Sequence, residues 1–279
     1  MELKKTVLLY GNAVFFLSKS VYEINRVVLE AGTMLVWLRD RVVFISFETI
    51  MLTFDILTIF PEIIAPYTKE SLLRRAQEKG LLKIEAHNLR DWADDKHKTV
   101  DEKPFGGGLG MVMKIEPFYK AAMELLGKTS GQKSKVVFFT PRGKKFTQKL
   151  AHQYAKLDHL IFICGRYEGV DERITKIADD KISIGEYDLM GGELPALIVV
   201  EAVSRLIPGV IGKPEFLPAH IPVGRGRGGR GFIEYPQYTR PEIFETPDGK
   251  KWRVPKVLVS GDHKKIAEWR KEHGKLIEG

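Results

Sequence analysis

From Leu52 onward, short apolar runs alternate with stretches whose apolar residues recur every three or four positions. The runs Leu52–Ile59, Leu82–His87, Lys135–Phe139, His159–Cys164 and Lys181–Ile184 read as strands. Helices are expected around Ile63–Lys79, from Glu116-Pro117 to a stop at Gly127, and over Glu193–Leu206. A further helical segment places Leu150, Tyr154 and Leu157 on one face. The turn Thr140-Pro141-Arg142-Gly143 is expected to end the third strand. Strands separated by helices predict an α/β fold with a largely parallel sheet. After Pro208 the pattern fades. Residues 213–231 show no hydrophobic period, hold Pro214, Pro218 and Pro222, and close in the run from Gly224 to Gly231, as a linker or mobile loop does. A short piece follows with Ile266, Trp269 and Arg270 on a helix. Ahead of Leu52, apolar stretches flank Arg39-Asp40-Arg41 and suit a hairpin.

Composition narrows the class. The 279 residues are 44% hydrophobic and 29% charged, which suits a globular protein of one large domain or two ordinary ones. The single cysteine, Cys164, excludes an intramolecular disulfide framework and a multi-cysteine zinc site. No run approaches the ~20 apolar residues of a membrane span. Val7–Tyr10 and Ala13–Leu17 are too short and interrupted to read as a secretory leader, so a cytoplasmic location is expected. Residues 1–50 read as an N-terminal extension to which the sequence assigns no role. The net charge is +8, and residues 205–279 carry 15 Lys and Arg against 9 Asp and Glu. That places most of the excess near the C-terminus, as a candidate footprint for a polyanion.

Four clusters carry candidate chemistry. The first runs from Asp95-Lys96-His97-Lys98 to Pro104-Phe105-Gly106-Gly107-Gly108-Leu109-Gly110-Met111, and lacks the spacing of a P-loop or a dinucleotide fingerprint. The second, Cys164-Gly165-Arg166-Tyr167-Glu168-Gly169, directly follows an apolar strand. The third spans Ser183 to Pro195, where glycines and the start of a helix offer backbone amides to a ligand. The fourth, Glu234-Tyr235-Pro236-Gln237-Tyr238-Thr239-Arg240-Pro241, suits RNA stacking or a packed aromatic turn. Taken singly, each of the first three is also compatible with an ordinary connector. The seven histidines are scattered without the helical spacing of a zinc motif, and no metal site is expected.

In this order the segments "LTIFPE", "DKHKTVDEKPFGGGLGMVMK", "TPRG", "CGRYEGVDER", "SIGEYDLMGGELPA", "RLIPGV" and "EYPQYTRP" resemble the bacterial tRNA (guanine-N1)-methyltransferases of the TrmD family, members of the knotted SPOUT superfamily. The resemblance covers roughly residues 51–270. It implies a parallel-sheet α/β methyltransferase domain over 51–210, its C-terminal part threaded as a trefoil knot. A linker at 211–232 and a small, mostly helical tRNA-binding domain at 233–279 would follow. It also implies a homodimer acting on tRNA, with S-adenosylmethionine held in the knot. The cofactor residues carried over are Phe138, Phe139 and Pro141 on one segment, then Gly165, Tyr167 and Glu168. Ile184, Gly185, Glu186, Tyr187, Asp188 and Leu189 follow, with Gly191, Gly192 and Pro195 closing the set. The methyl group would pass to N1 of the guanosine just 3′ of the anticodon.

N1 of guanine carries a proton, so its attack requires a general base. The resemblance makes Arg205 the catalytic arginine, placed to polarise the guanine oxygen. The family's base is an aspartate in the linker, yet residues 216–233 contain neither Asp nor Glu. The linker carboxylate is Glu215. Two readings follow: an active enzyme that uses Glu215 as base, or a cofactor- and tRNA-binding homologue with weak or no catalysis. Leu109 and Met190 are smaller departures from the pattern, and the chain stops sooner after Trp269-Arg270 than the family usually does.

Overall fold

A computed structural model describes residues 51–129, 131–211 and 235–274 in full. It also gives the backbone of short strands within residues 5–46 and at 232–233 and 275–276. The chain divides into two units: residues 1–212 without 147–149, and residues 213–279 with 147–149.

In the first unit, five strands form one parallel sheet. They are β1 (Leu52–Thr58), β2 (Leu82–Asn88), β3 (Ser134–Lys145), β4 (His159–Ile163) and β5 (Asp180–Ser183), in the order β5-β3-β4-β1-β2. All four pairings are parallel. The central strands read as unbroken apolar runs because both faces are covered, and alternation would leave polar groups buried. On one face Phe54, Ile56, Val137 and Phe162 pack with Val199 and Val203 of the helix Glu193–Ser204. On the other, Leu57, Val136, Ile161 and Ile163 meet Phe118, Ala121 and Leu125 of the helix Ile115–Lys128. The α/β class and the parallel sheet are as the pattern predicts.

Element boundaries differ in three informative places. The single helix expected over Ile63–Lys79 is broken into a 3-10 turn (Pro61–Ile63), α1 (Ala65–Thr68) and α2 (Ser71–Glu78). Ser71 takes φ +51°, and the chain changes direction there. The second helix, α3 (Ile115–Lys128), does not stop at Gly127. It runs on to Thr129, whose hydroxyl donates to the Leu125 and Leu126 carbonyls and caps the end. Strand β3 does not end at Phe139 either. After a register shift between Phe139 and Lys144, it pairs with β5 again. Gly143 permits this, because a Cβ there would lie 2.5 Å from the Ile182 nitrogen. Two further α-helices among the described residues are α4 (Gln148–Tyr154), which buries Leu150 and Tyr154, and α5 (Glu193–Ser204).

Beneath α3 the sheet buries a polar string. His87 and His159 each bring Nε2 to within 2.6 Å of an Asp55 carboxylate oxygen, and the His159 Nδ1 lies 3.1 Å from the Thr129 hydroxyl. Burial pushes the Asp55 carboxyl up, but the hydrogen bonds and charge of His159 and His87 outweigh it and hold the group at about 2. A carboxyl lowered in this way stabilises the fold above its unfolded value, and the stabilisation is lost as pH falls through the folded one. Urea titrations of the wild type and Asp55→Asn are therefore expected to differ most near neutral pH, by about 2 kcal/mol from this group. The gap should narrow between about pH 4 and about pH 2. A gap constant through that window would refute the assignment.

The N-terminal backbone forms two antiparallel pieces. Lys5–Tyr10 pairs with Ala13–Ser18, and Ile24–Glu30, Thr33–Leu38 and Arg41–Ser46 make a three-stranded sheet. Leu38 opposite Arg41 gives the hairpin expected around Arg39-Asp40-Arg41.

In the second unit the hairpin Ile243–Glu245/Lys251–Arg253 precedes α6 (Lys256–Val259) and α7 (His263–His273). Among the described residues of this unit, two helices and one hairpin are present. Gly249 at φ +82° and the Thr246 hydroxyl, which accepts from the Lys250 N–H, close the hairpin turn. Asp262 caps α7 by accepting from the Lys264 and Lys265 N–H groups. Tyr235 and Tyr238 lie edge-on to Trp269, with centroids 6.2 and 6.3 Å away, while His273 stacks on it at 4.1 Å. The fourth cluster therefore forms a packed aromatic turn.

Candidate active site

Ligands of open α/β sheets bind beyond the carboxyl ends of the strands. There, three of the four sequence clusters come together. The Met113 N–H donates to the Gly169 carbonyl, and the N–H groups of Glu168 and Asp171 donate to the carbonyls of Met111 and Met113. The glycine-rich loop is thereby tied to the loop after β4. Gly110 lets them meet: a Cβ on it would lie 2.6 Å from the Glu168 Cγ. The Gly192 N–H donates to the Gly165 carbonyl at 3.0 Å, joining the loop after β5 to the same place. Gly192 has no room for a side chain, since a Cβ would meet the Cys164 Cα at 2.6 Å.

A cleft of about 390 Å³ opens between the Pro141–Lys145 excursion of β3 and residues 183–188. Of the expected cofactor residues, Pro141, Gly185, Glu186, Tyr187 and Asp188 line it. Gly185 lies beneath the Tyr187 ring, where a Cβ would come within 2.2 Å of Cε1. Lys145 pairs with Glu186 at 3.1 Å on the rim. Leu189 is exposed in the loop that continues from the cleft to Gly191. Ile184 contributes a carbonyl that accepts from the Tyr187 hydroxyl at 3.5 Å. Phe138 and Phe139 are placed differently. Both rings are core, Phe139 edge-on to Phe162 at 5.3 Å, so the strand end offers a ligand mainly backbone there. Pro195 is buried in the first turn of α5. Tyr167 is exposed and holds φ +59°, an unusual conformation for a residue with a side chain, and Glu168 is exposed beside it.

Sequence reasoning missed the group that joins these loops. Glu193, in the first turn of α5, is 1% exposed and accepts from the Thr58 hydroxyl at 2.5 Å and from the Arg166 Nε–H at 2.9 Å. The Arg166 guanidinium also lies over the Phe60 ring at 4.9 Å and donates to the Met190 carbonyl at 3.4 Å. The available signal was Glu193 directly after Gly191-Gly192 at a helix start, where a carboxylate favours the N-terminal dipole.

Arg205 is not brought to the cleft. It caps the C-terminal end of α5 and is exposed, while Gly192 caps the opposite end of this 12-residue helix. At 1.5 Å per residue, that is about 18 Å along the axis. Glu215 lies outside the described residues. Cys164 is fully buried, and burial pushes its thiol well up, with the Glu193 charge adding to the effect; both argue against a nucleophile. Asp55, Glu85 and His87 bring possible metal-ligating atoms within 4.8 Å of one another, a grouping that histidine spacing did not suggest. Both Asp55 oxygens there are already engaged by imidazoles.

A parallel sheet with glycine-bound loops at its carboxyl edge defines an open α/β protein, a class that carries its ligand sites at that edge. The comparisons carry this further. Residues 52–277 match the model of the tRNA (Guanine-1)-methyltransferase TrmD family, and the chain belongs to that family. A tRNA (guanine-N(1)-)-methyltransferase of Dictyoglomus turgidum is 49% identical over 222 residues, 80% of this chain and 84% of the relative. The proteins of the same name from Clostridioides difficile and Carboxydothermus hydrogenoformans are 46% and 45% identical, over 78% and 80% of this chain and 90% and 82% of their own. Among the described residues, no helix is long and apolar enough to cross a membrane.

Proposed function

We propose that the protein transfers a methyl group from S-adenosylmethionine to N1 of the guanosine immediately 3′ of a tRNA anticodon, in the cytoplasm. One observation carries the reading: in a chain of this family, the loops after β4 and β5 and the glycine-rich loop converge on a single carboxyl edge of the sheet. The cleft suits the cofactor. Gly143 and Gly185 add no side chain to its lining, and Tyr187 and Leu189 supply exposed apolar surface at and beside it. When bound, the cofactor supplies an electrophilic methyl on a sulfonium. The chain's own residues orient the base and manage its proton: Arg205 donates to the guanine oxygen as negative charge develops, and Glu215 accepts the N1 proton. The trefoil knot is part of the same reading, and the basic C-terminal region is assigned to the tRNA phosphates.

The placement of Arg205 favours a homodimer. Leu194, Ile198, Glu201 and Arg205 are all exposed and follow one another at i, i+4, i+7 and i+11 along one stripe of α5. Tyr67 of α1, half-exposed, donates its hydroxyl to Glu201 and so lies beside that stripe. Two such faces packed antiparallel across a two-fold axis would carry Arg205 of one protomer toward the cofactor end of its partner's α5.

The test is methyl transfer from labelled cofactor to tRNA transcripts with guanosine or adenosine 3′ of the anticodon. Label is expected as N1-methylguanosine in the first transcript alone, and no incorporation would overturn the reading. Glu215→Gln is expected to reduce turnover by about 10²-fold or more, the contribution of a general base. Unchanged turnover would remove Glu215 from that role.

A further inference from the structure

Three carboxylates, Asp55, Asp180 and Glu193, are buried among the described residues, and each has cationic or imidazole partners. Asp55 ties β1 to β2 and β4, and Asp180 ties β5 to β3 and to Tyr154 of α4. Glu193 is different, because its partners stand at the ends of elements whose following loops meet at the carboxyl edge of the sheet. Thr58 ends β1, Arg166 follows β4, and Glu193 itself opens α5 directly after the loop that follows β5. One carboxylate therefore spans three segments, with each oxygen engaged once.

The consequence reaches the cofactor loop through Arg166. Held by Glu193 through Nε, the guanidinium directs Nη1 at the Met190 carbonyl, 3.4 Å away, and rests on the Phe60 ring. Gly191 lies directly against the pair. A Cβ on it would be 2.3 Å from the Arg166 Nε and 2.5 Å from the Glu193 Oε2. The ion pair thus forms the support against which residues 190 and 191 lie. A planar guanidinium with fixed donors can hold a carbonyl and a carboxylate at once, which an ammonium on a flexible stem cannot do as well.

We infer that Glu193 is a positioning residue: acting through Arg166, it holds the loop that follows β5 in the shape that receives the cofactor. The inference rests on the methyltransferase reading above. Neither side chain is placed at the reacting atoms, so the pair sets how well the loop is pre-organised for binding and leaves the chemical step to other groups.

Glu193→Gln keeps the shape and removes the charge. With it, the dissociation constant for S-adenosylmethionine without tRNA is expected to rise about tenfold, the loss of one charge-assisted hydrogen bond. The KM for the cofactor should follow, with kcat at saturation within about threefold of wild type. Arg166→Lys should produce a smaller rise, and Glu193→Gln combined with Arg166→Lys no more than the larger of the two single effects, because each breaks the same link. Unchanged affinity with a lowered melting temperature would make the pair merely structural and overturn the inference. A fall in kcat at unchanged KM would overturn it in the other direction. If the wild type binds the cofactor and methylates tRNA while the variants do not shift affinity, only the positioning role fails; if the wild type does neither, the functional reading falls with it.

Discussion

Replacing Arg205 by Ala is expected to lower kcat by about 10²–10³-fold, the usual consequence of removing a donor aimed at developing negative charge. The KM for the cofactor should barely move, since Arg205 is assigned to the guanine oxygen and not to the cofactor. Stability should barely move either. The side chain is exposed, and the backbone N–H that closes the helix end, donating to the Glu201 carbonyl, is present in Ala as well. Arg205→Lys should recover little, because one ammonium does not reproduce a planar pair of donors. Steady-state kinetics at saturating cofactor and tRNA would check this, and a fall confined to KM would contradict it.

Gly192→Val is expected to produce the second large effect, on cofactor affinity rather than kcat. Its Cβ would come within 2.6 Å of the Cys164 Cα, and that neighbour is buried backbone that cannot swing aside. The loop after β5 must then lift away from Gly165, and the hydrogen bond between Gly192 N–H and the Gly165 carbonyl is lost. Overpacking of this kind costs about 3 kcal/mol, or roughly a hundredfold in the dissociation constant. Calorimetry with the cofactor alone would read it, with circular dichroism to establish that the variant is folded. The two variants also test where Arg205 acts. At a cofactor concentration near the wild-type KM, each alone should be nearly inactive. If Arg205 serves the partner's cofactor, a mixed dimer of Arg205→Ala and Gly192→Val retains one intact site. Random exchange of equal amounts would then restore about a quarter of wild-type activity. If Arg205 serves its own protomer, mixing restores nothing.

The sheet was legible in the sequence because parallel strands covered on both faces need continuous apolar runs, and Leu52–Thr58 and His159–Ile163 provide them. The site was legible as clusters, each at a strand end, but their joining was not. Glu193 looked like one polar residue of a connector. Its burial depends on Thr58, 135 positions away, and on Arg166, 27 positions away. The pairing of Asp55 with His159 was likewise not legible, because it depends on β1 lying beside β4. Boundaries failed where local rules met a tertiary contact. Gly127 carries a helix-stop signal that a threonine cap outweighs, and the Pro141–Gly143 turn remains within a strand because Gly143 can lie flat on the β5 backbone. The opposite placement of Gly192 and Arg205 on one helix was implicit in their spacing.

The position of β4 bears on how the chain is made. It lies between β3 and β1, yet β1 ends at Thr58 and β4 does not begin until His159, about 100 residues later. As the polypeptide leaves the ribosome, β1 can pair with β2 early, and its other edge, with Phe54, Ile56 and Leu57 along it, then stays open until His159–Ile163 has emerged. An open apolar edge is a template for strands from other chains. Nascent chains stalled before residue 159 should therefore aggregate, and those released after it should not, so that the vulnerable interval in this protein's synthesis is fixed by strand order.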